Sequence, residues 1–368
     1  MRKYLVILIL PVFFTCCKKQ GENIIWERSY GTGQAVTVKT TGDSGFVSVG
    51  AEGGNQYLLV TDINGNKKAE YKPATRGVLT GVAVADGYYI ACGSRDGKLS
   101  VSRIDPSGML VWDTAFVSTF GVEYVSLCQT GNDSFLAIGS ADPDSSVKSL
   151  AGLSFISFDG NGSVSNRTDT LYSADSYIAV KGIAADNSGN IYMAITRNGT
   201  SGKLKASVTK YNSSLQKLWE KELYNNPVFG AASEAIALDD EANPVIAGRT
   251  EMQVSTGIQN NAFVARYFYT GDSTQKSYLE YANSGVSVRG DATGQFMVLN
   301  MNCLIVNILD LRMKISGIIR TFRACDSKTT DISGKCLDIT SDGNIIMAGS
   351  KGSGFYLAVK SSSALSTI

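Results

Sequence analysis

The sequence predicts an all-β chain, a seven-bladed β-propeller of four-stranded antiparallel blades that the N-terminal strand closes by joining the last blade. Three observations lead there. A strand pattern of period two recurs seven times at a spacing of about 40 to 55 residues. Clusters of Asp, Asn and Gly separate the strands, and no segment sustains a helical period. Six copies carry a fourth strand while the seventh stops short of one, and an unmatched strand-like stretch stands at the N-terminus.

From residue 24 each copy begins with a short apolar strand that runs into an Asp/Gly/Asn turn. The second strand reads "GFVSVG", "YYIACG", "SFLAIG", "NIYMAI", "NPVIAG", "QFMVLN" and "NIIMAG". The third reads "YLLVTDINGN", "LSVSRIDPSG", "LSFISFDGNG", "ASVTKYNSSL", "AFVARYFYTGD", "CLIVNILDL" and "FYLAVKSSS". Fourth strands follow at "KKAEYK", "LVWDTAF", "SVSNRTDTLY", "KLWEKELY", "TQKSYLEY" and "ISGIIRTF", and then the chain stops at "SSSALSTI". "NIIWERSY" supplies the missing strand: a ring with an unpaired edge in its last blade would be open to aggregation, so the early strand becomes the outer edge of the blade at 335–362. A β-helix needs a shorter period, and a sandwich does not repeat seven times.

The units resemble the repeat propellers of Bacteroidetes secreted proteins and lipoproteins, on Trp26, Tyr30, Gly31, Asp43, Gly45, Phe46, Gly50, Asp62 and Gly65, with Trp112 and Trp219 kept in later copies. That resemblance covers the mature chain and implies an architecture but no defined activity, because propellers host binding, scaffolding and catalysis alike.

Composition narrows the chemistry. Lys+Arg 34 against Asp+Glu 33 leaves the chain almost neutral, so nothing in its charge calls for nucleic acid as a partner. The chain has no histidine, which excludes a histidine-based triad, an imidazole general base and imidazole metal ligation. "DINGN" and "DPDSS" place oxygen ligands at alternate positions, yet neither continues with the Gly and distal Glu of a calcium loop, and both read as turns. No cofactor and no metal is expected. Sialidase-type Asp-boxes and quinoprotein Trp motifs are absent.

Residues 1–15 open with Arg2 and Lys3 and continue as an apolar core too short for a transmembrane helix, in the form of a signal peptide. The end of that core, "FFTCC", resembles a bacterial lipoprotein signal, which implies lipidation of Cys16, with Cys17 as the alternative. Residues 16–23 then form a polar tether and 24–368 the propeller. The expected location is the cell envelope, as an outer-membrane lipoprotein facing either the periplasm or the surface, and the expected state is a monomer. Five further cysteines, at 92, 128, 303, 325 and 336, show no C-x-x-C spacing. Cys325 and Cys336 flank one loop and could bridge, whereas Cys92 and Cys128 read as small core residues.

On the face where the inner strands start, the connections at 140–152, 196–206 and 249–261 are long and belong to consecutive blades, as a binding surface would be. Glu123, Lys181, Glu234, Arg289 and Lys335 lie at or near those starts and are the candidate ligand-binding residues around the channel mouth. The expected function is a non-catalytic binding or scaffolding module for a glycan or protein ligand. The alternatives are an accessory subunit of an envelope assembly and a carboxylate-dependent carbohydrate-active enzyme using Glu123 or Glu234.

Overall fold

The computed structural model describes residues 24–361, apart from 141–151, 172–177, 199–202, 224–228, 255–256, 273, 280–283, 291–294, 301–305, 311–317 and 323–330. The proposed signal peptide, Cys16, the tether, "DPDSS", Cys303 and Cys325 lie outside the described residues. The described residues contain strands and turns and no helix.

The first four strands are β1 (Ile24–Thr40), β2 (Phe46–Glu52), β3 (Asn55–Thr61) and β4 (Lys67–Tyr71). The next sheet holds β5 (Gly77–Ala85), β6 (Tyr88–Arg95), β7 (Lys98–Ile104) and β8 (Leu110–Phe116), and the third β9 (Tyr124–Gly131), β10 (Ser134–Ser140), β11 (Gly152–Asp159) and β12 (Val164–Leu171). A fourth is built from β13 (Ile178–Ala185), β14 (Ile191–Asn198), β15 (Leu204–Tyr211) and β16 (Lys217–Glu222). It is followed by β17 (Ala231–Leu238), β18 (Pro244–Val254), β19 (Gly257–Tyr267) and β20 (Thr274–Leu279), then by β21 (Gly285–Gly290), β22 (Gln295–Asn300), β23 (Val306–Asp310) and β24 (Ile318–Phe322). Three strands close the chain: β25 (Ile332–Ile339), β26 (Ile345–Lys351) and β27 (Gly354–Lys360). Each sheet is an antiparallel meander, the economical solution when short strands are joined by tight turns.

The N-terminal strand is longer than the sequence pattern indicates. "NIIWERSY" and the inner strand after it are one strand, β1, which serves two sheets: Ile24 to Thr32 pair with β27, and Gly33 to Thr40 pair with β2. Gly31 (φ 67°) and Gly33 (φ 144°) sit at the crossing, where the backbone adopts conformations that residues with a Cβ disfavour. Glu27 ties the same junction with its side chain, accepting from Tyr356 Oη at 2.5 Å and from Lys351 Nζ at 2.9 Å.

Apolar clusters occupy the spaces between neighbouring sheets. Phe46, Tyr57, Ile346 and Phe355 pack between β25–β27 and β1–β3, with Tyr57 and Phe355 edge to face at 5.1 Å. Tyr88, Phe135 and Phe158 fill the space between the second and third sheets, and Tyr192, Phe263 and Tyr267 that between the fourth and fifth. Second strands such as β2, β6 and β14 are buried along most of their length because both faces of the sheet are covered there, whereas the fourth strands β8, β12 and β16 stay largely exposed. Cys92 belongs to this core and its thiol is pushed up by burial. Cys336 is likewise a buried free thiol.

Tryptophans latch adjacent sheets. Trp112 on β8 donates through Nε1 to Gly160 O at 3.1 Å, and Arg103 Nη1 donates to the same carbonyl at 2.8 Å. Trp219 on β16 and Lys210 on β15 repeat the arrangement on Tyr269 O, at 3.1 and 3.2 Å. Trp26 on β1 donates to Ile63 O at 2.7 Å. Opposite each ring stands a glycine of positive φ, Gly162, Gly271 and Gly65, where a Cβ would press on the indole. This explains why the turns after the third strands end in Gly beside a Trp.

The turn reading of "DINGN" matches the geometry. Asp62 Oδ1 accepts from the N–H groups of Asn64 and Asn66, and Oδ2 from Asn66 Nδ2. Asp105, Asp159, Asp186, Asn212 and Asp239 repeat the two-residue and four-residue backbone contacts. A carboxylate used in this way holds a hairpin turn in place.

Candidate functional site

The first strands of the repeats converge. β1, β5, β9, β13, β17, β21 and β25 touch in that order and β25 returns to β1. Together they line one cavity of about 600 Å³. Hydrogen bonds suture their walls: Thr37 Oγ1 donates to Thr80 O at 2.7 Å, Thr80 Oγ1 to Val125 O at 2.6 Å, and Ser126 Oγ to Val180 O at 2.8 Å. On the far side Leu337 N donates to Ser287 Oγ at 3.2 Å.

A bulge recurs in six of these strands and decides which side chains face the cavity. The register slips at Ala35/Thr37, Leu79/Gly81, Val180/Gly182, Ser233/Ala235, Gly285/Ser287 and Gly334/Cys336. The extra residues, Val36, Thr80, Lys181, Glu234, Val286 and Lys335, all line the cavity, because a bulge turns one additional side chain out of the pleat. The glycine within the second strand belongs to this device. A Cβ on Gly50, Gly93, Gly248 or Gly349 would fall on the carbonyl oxygen of Gln34, Val78, Ala232 or Ser333, just before the bulge.

Of the five candidate residues, Lys181, Glu234 and Lys335 share this bulge layer at the end where the inner strands start. Lys181 Nζ lies 3.0 Å from Glu234 Oε2, and Arg249 Nε lies 3.7 Å from Glu234 Oε1, so the carboxylate is held between two cations. Glu123 precedes β9 and is outside the lining, while its neighbour Tyr124 is within it. Arg289 lines the cavity at the opposite end, three residues beyond the bulge, or about 10 Å along the strand. There it meets two residues that the sequence reading did not select, Lys39 and Asp338. Both stand next to last in their inner strands, as the charged member of "VKT" and "LDI", and that position is the signal that could have found them.

At that end Asp338 Oδ2 accepts from Thr40 N at 2.9 Å and from Thr40 Oγ1 at 3.3 Å, and Arg289 Nε faces Asp338 Oδ1 at 3.4 Å. Burial raises the Asp338 carboxyl, but Lys39 and Arg289 together hold it below the usual range. Burial pushes the Lys39 ammonium down and Arg289 pushes it further, against the pull of Asp338. Cys128 lines the cavity from β9, across from these residues, its thiol pushed up to about 12 by burial.

Above the bulge layer two hairpins rise from adjacent sheets. The segment 249–261, expected as a loop, is strand instead: β18 and β19 stay in register out to Val254 and Gly257. The reason lies in Thr250, Met252, Val254 and Ile258, which keep a period of two inside a stretch whose Gln, Asn and Gly content suggests a loop. β14 and β15 likewise pair out to Asn198 and Leu204. Glu251 links the two hairpins, accepting from Gly230 N and from Lys203 Nζ, each at 2.9 Å. These bonds hold its carboxyl below the usual range, the Gly230 amide contributing most. The connection at 140–152 falls largely outside the described residues.

Among the described residues no group of three or more Cys, Asp or Glu side chains could hold a metal ion. No protein-family model matches the chain, and no curated protein matches its sequence. Solved structures do. The WD40 domain of Pan2 from Neurospora crassa is similar at 16% identity, over 89% of this chain and 89% of that one, with a TM-score of 0.60. The WD40 β-propeller domain of Doa1 is similar at 13% identity, over 93% of this chain and 97% of that one, with a TM-score of 0.60. A protein of unknown function from Bacteroides caccae is similar at 13% identity over 72% and 84% of the two chains, with a TM-score of 0.47. At such identities the likeness is one of architecture, and it agrees with the antiparallel sheets around a common cavity: the chain has a β-propeller fold.

Proposed function

We propose that the chain is a seven-bladed propeller, closed by its N-terminal strand and anchored through a lipid on Cys16, that serves as a binding or scaffolding module of the cell envelope. Its ligand, a glycan or a protein, sits on the face that carries the hairpins. The observation behind this reading is the rigid pair β14–β15 and β18–β19, fastened by Lys203 and Glu251 beside the charged mouth of the cavity. A sutured ring supports such a wall at little conformational cost on binding. The pairing of β1 with β27 and the unbroken circuit of inner strands support seven blades and closure. Glu234, engaged by Lys181 and Arg249, is better suited to positioning a polar ligand than to moving a proton.

The test uses the full chain, wild type and with 252–259 replaced by a tight turn, against envelope polysaccharide and detergent-extracted envelope proteins. Binding by the wild type that the shortened, folded variant lacks supports the reading; equal binding by both removes the hairpins from it. Acyl labelling in a bacterial host should vanish in Cys16→Ser, and labelling that persists would move the anchor to Cys17 or elsewhere.

A further inference from the structure

We propose that the end of the central cavity opposite the hairpins is a separate binding site for a small oxyanion, a carboxylate or phosphate group held between Lys39 and Arg289. The site rests on the cavity itself and is independent of what binds the hairpin face.

Three consecutive inner strands, β21, β25 and β1, bring Arg289, Asp338 and Lys39 to one wall of the cavity. Among the described residues of this wall two cations stand beside one carboxylate, an excess of one positive charge. Asp338 offsets one charge only, and it already accepts two hydrogen bonds from Thr40. The buried Nε of Arg289 has no hydrogen-bond acceptor among the described residues, although Asp338 Oδ1 lies 3.4 Å away, and Nη1 reaches only the carbonyl of the adjacent Val288, at 3.1 Å. A buried donor without an acceptor is costly, and a bound oxyanion would supply one.

The facing walls make room for it. Three residues beyond the bulge, where β1, β21 and β25 carry Lys39, Arg289 and Asp338, the strands β5, β13 and β17 carry Ala83, Ala184 and Ala237. Seven strands converging at one level would crowd seven long side chains. Small residues on three of the four facing strands leave space in front of the cluster instead, while the fourth, β9, brings Leu127, Cys128 and Gln129 to the lining. The chemistry then selects the ligand: a planar guanidinium fork beside an ammonium matches the paired oxygens of a carboxylate or phosphate, and the partly desolvated setting strengthens each charge-assisted bond. The like charges of Lys39 and Arg289 oppose each other, Asp338 offsets part of that repulsion, and a second anion would offset the rest.

Calorimetric titration of the purified full chain with sodium phosphate and with sodium glucuronate, at ionic strength matched with sodium chloride, tests the assignment. One probe or both should bind saturably at one site per chain with Kd below about 1 mM, and which probe binds distinguishes phosphate from carboxylate. Lys39→Met should weaken binding by about tenfold or more, the value of one charge-assisted contact. Ala184→Glu leaves the three charged residues in place and sets a carboxylate against the incoming anion, so it should weaken binding similarly and decides the matter if Lys39→Met does not fold. Lys217→Met, at an exposed position on β16, should bind as the wild type does. Absence of saturable binding by both probes, unchanged affinity in Ala184→Glu, or equal weakening in Lys217→Met would each overturn the proposal.

Discussion

Replacing Gly93 by alanine should destabilise the chain far more than the same change at Gly139, although both glycines close the second-strand motif of a repeat, "YYIACG" and "SFLAIG", and neither has a positive φ. A Cβ on Gly93 would fall on the Val78 carbonyl oxygen, with Leu79 Cα at 2.6 Å and Val78 C at 2.8 Å, all backbone atoms of the bulged strand β5. Ordinary carbon contacts need about 3.5 Å, so β5 and β6 must separate by about 1 Å. Ladder hydrogen bonds do not survive such a displacement, and each is worth about 1 kcal/mol net. With overpacking strain of about 1–3 kcal/mol, the loss should reach about 3–4 kcal/mol. Gly139 lies opposite Val125 in β9, which has no bulge there, and the atoms nearest its Cβ would be side-chain ends, Leu99 Cδ1 and Val122 Cγ1 at 3.1 Å and Val122 Cγ2 at 3.2 Å. Those side-chain ends can yield, so Gly139→Ala should cost about 1 kcal/mol or less. The smaller unfolded-state entropy of alanine is common to both variants and cancels in the comparison. Urea unfolding followed by tryptophan fluorescence measures the difference through the midpoint and slope. If Gly93→Ala loses no more stability than Gly139→Ala, the bulge does not explain the repeated glycine.

Deleting residues 24–30 should remove the partner of β27 and leave an unpaired strand edge, so the truncated chain should aggregate or unfold at a much lower temperature; a monomer of unchanged stability would show that β1 is dispensable there. Trp219→Phe keeps a ring against Gly271 but loses the Nε1 bond to Tyr269 O, and should cost about 1 kcal/mol in urea unfolding. Asp43, hydrogen-bonded by Lys68 and then by Thr41, has its carboxyl lowered from 3.8 to about 2. Its contribution is therefore complete above pH 3.8 and lost as the pH falls towards 2, so Asp43→Asn should flatten that part of the stability curve. Both partners are about half exposed, which keeps the effect below about 1 kcal/mol.

Local chemistry is what the sequence determined by itself. Alternating apolar residues fix strands wherever one face must be buried, and Asp, Asn and Gly in the turns fix the hairpins through contacts spanning only two to four residues, so strand positions are legible one segment at a time. Trp26, Trp112 and Trp219 could be read as repeat markers, but their role as latches appears only when the next sheet brings Ile63, Gly160 and Tyr269 to them. The charged residues of the cavity divide in the same way. Lys181, Glu234 and Lys335 were visible near the starts of inner strands, yet their common level depends on bulges, which shift the register by one residue and leave no residue type of their own. Arg289, Lys39 and Asp338 lie far apart in the chain and become neighbours only because β25 packs between β21 and β1. Pairing between distant segments depends on the whole set of inter-sheet contacts, so tertiary structure alone decided that Lys39, Arg289 and Asp338 would share one wall and that Ala83, Ala184 and Ala237 would stand across the cavity from it.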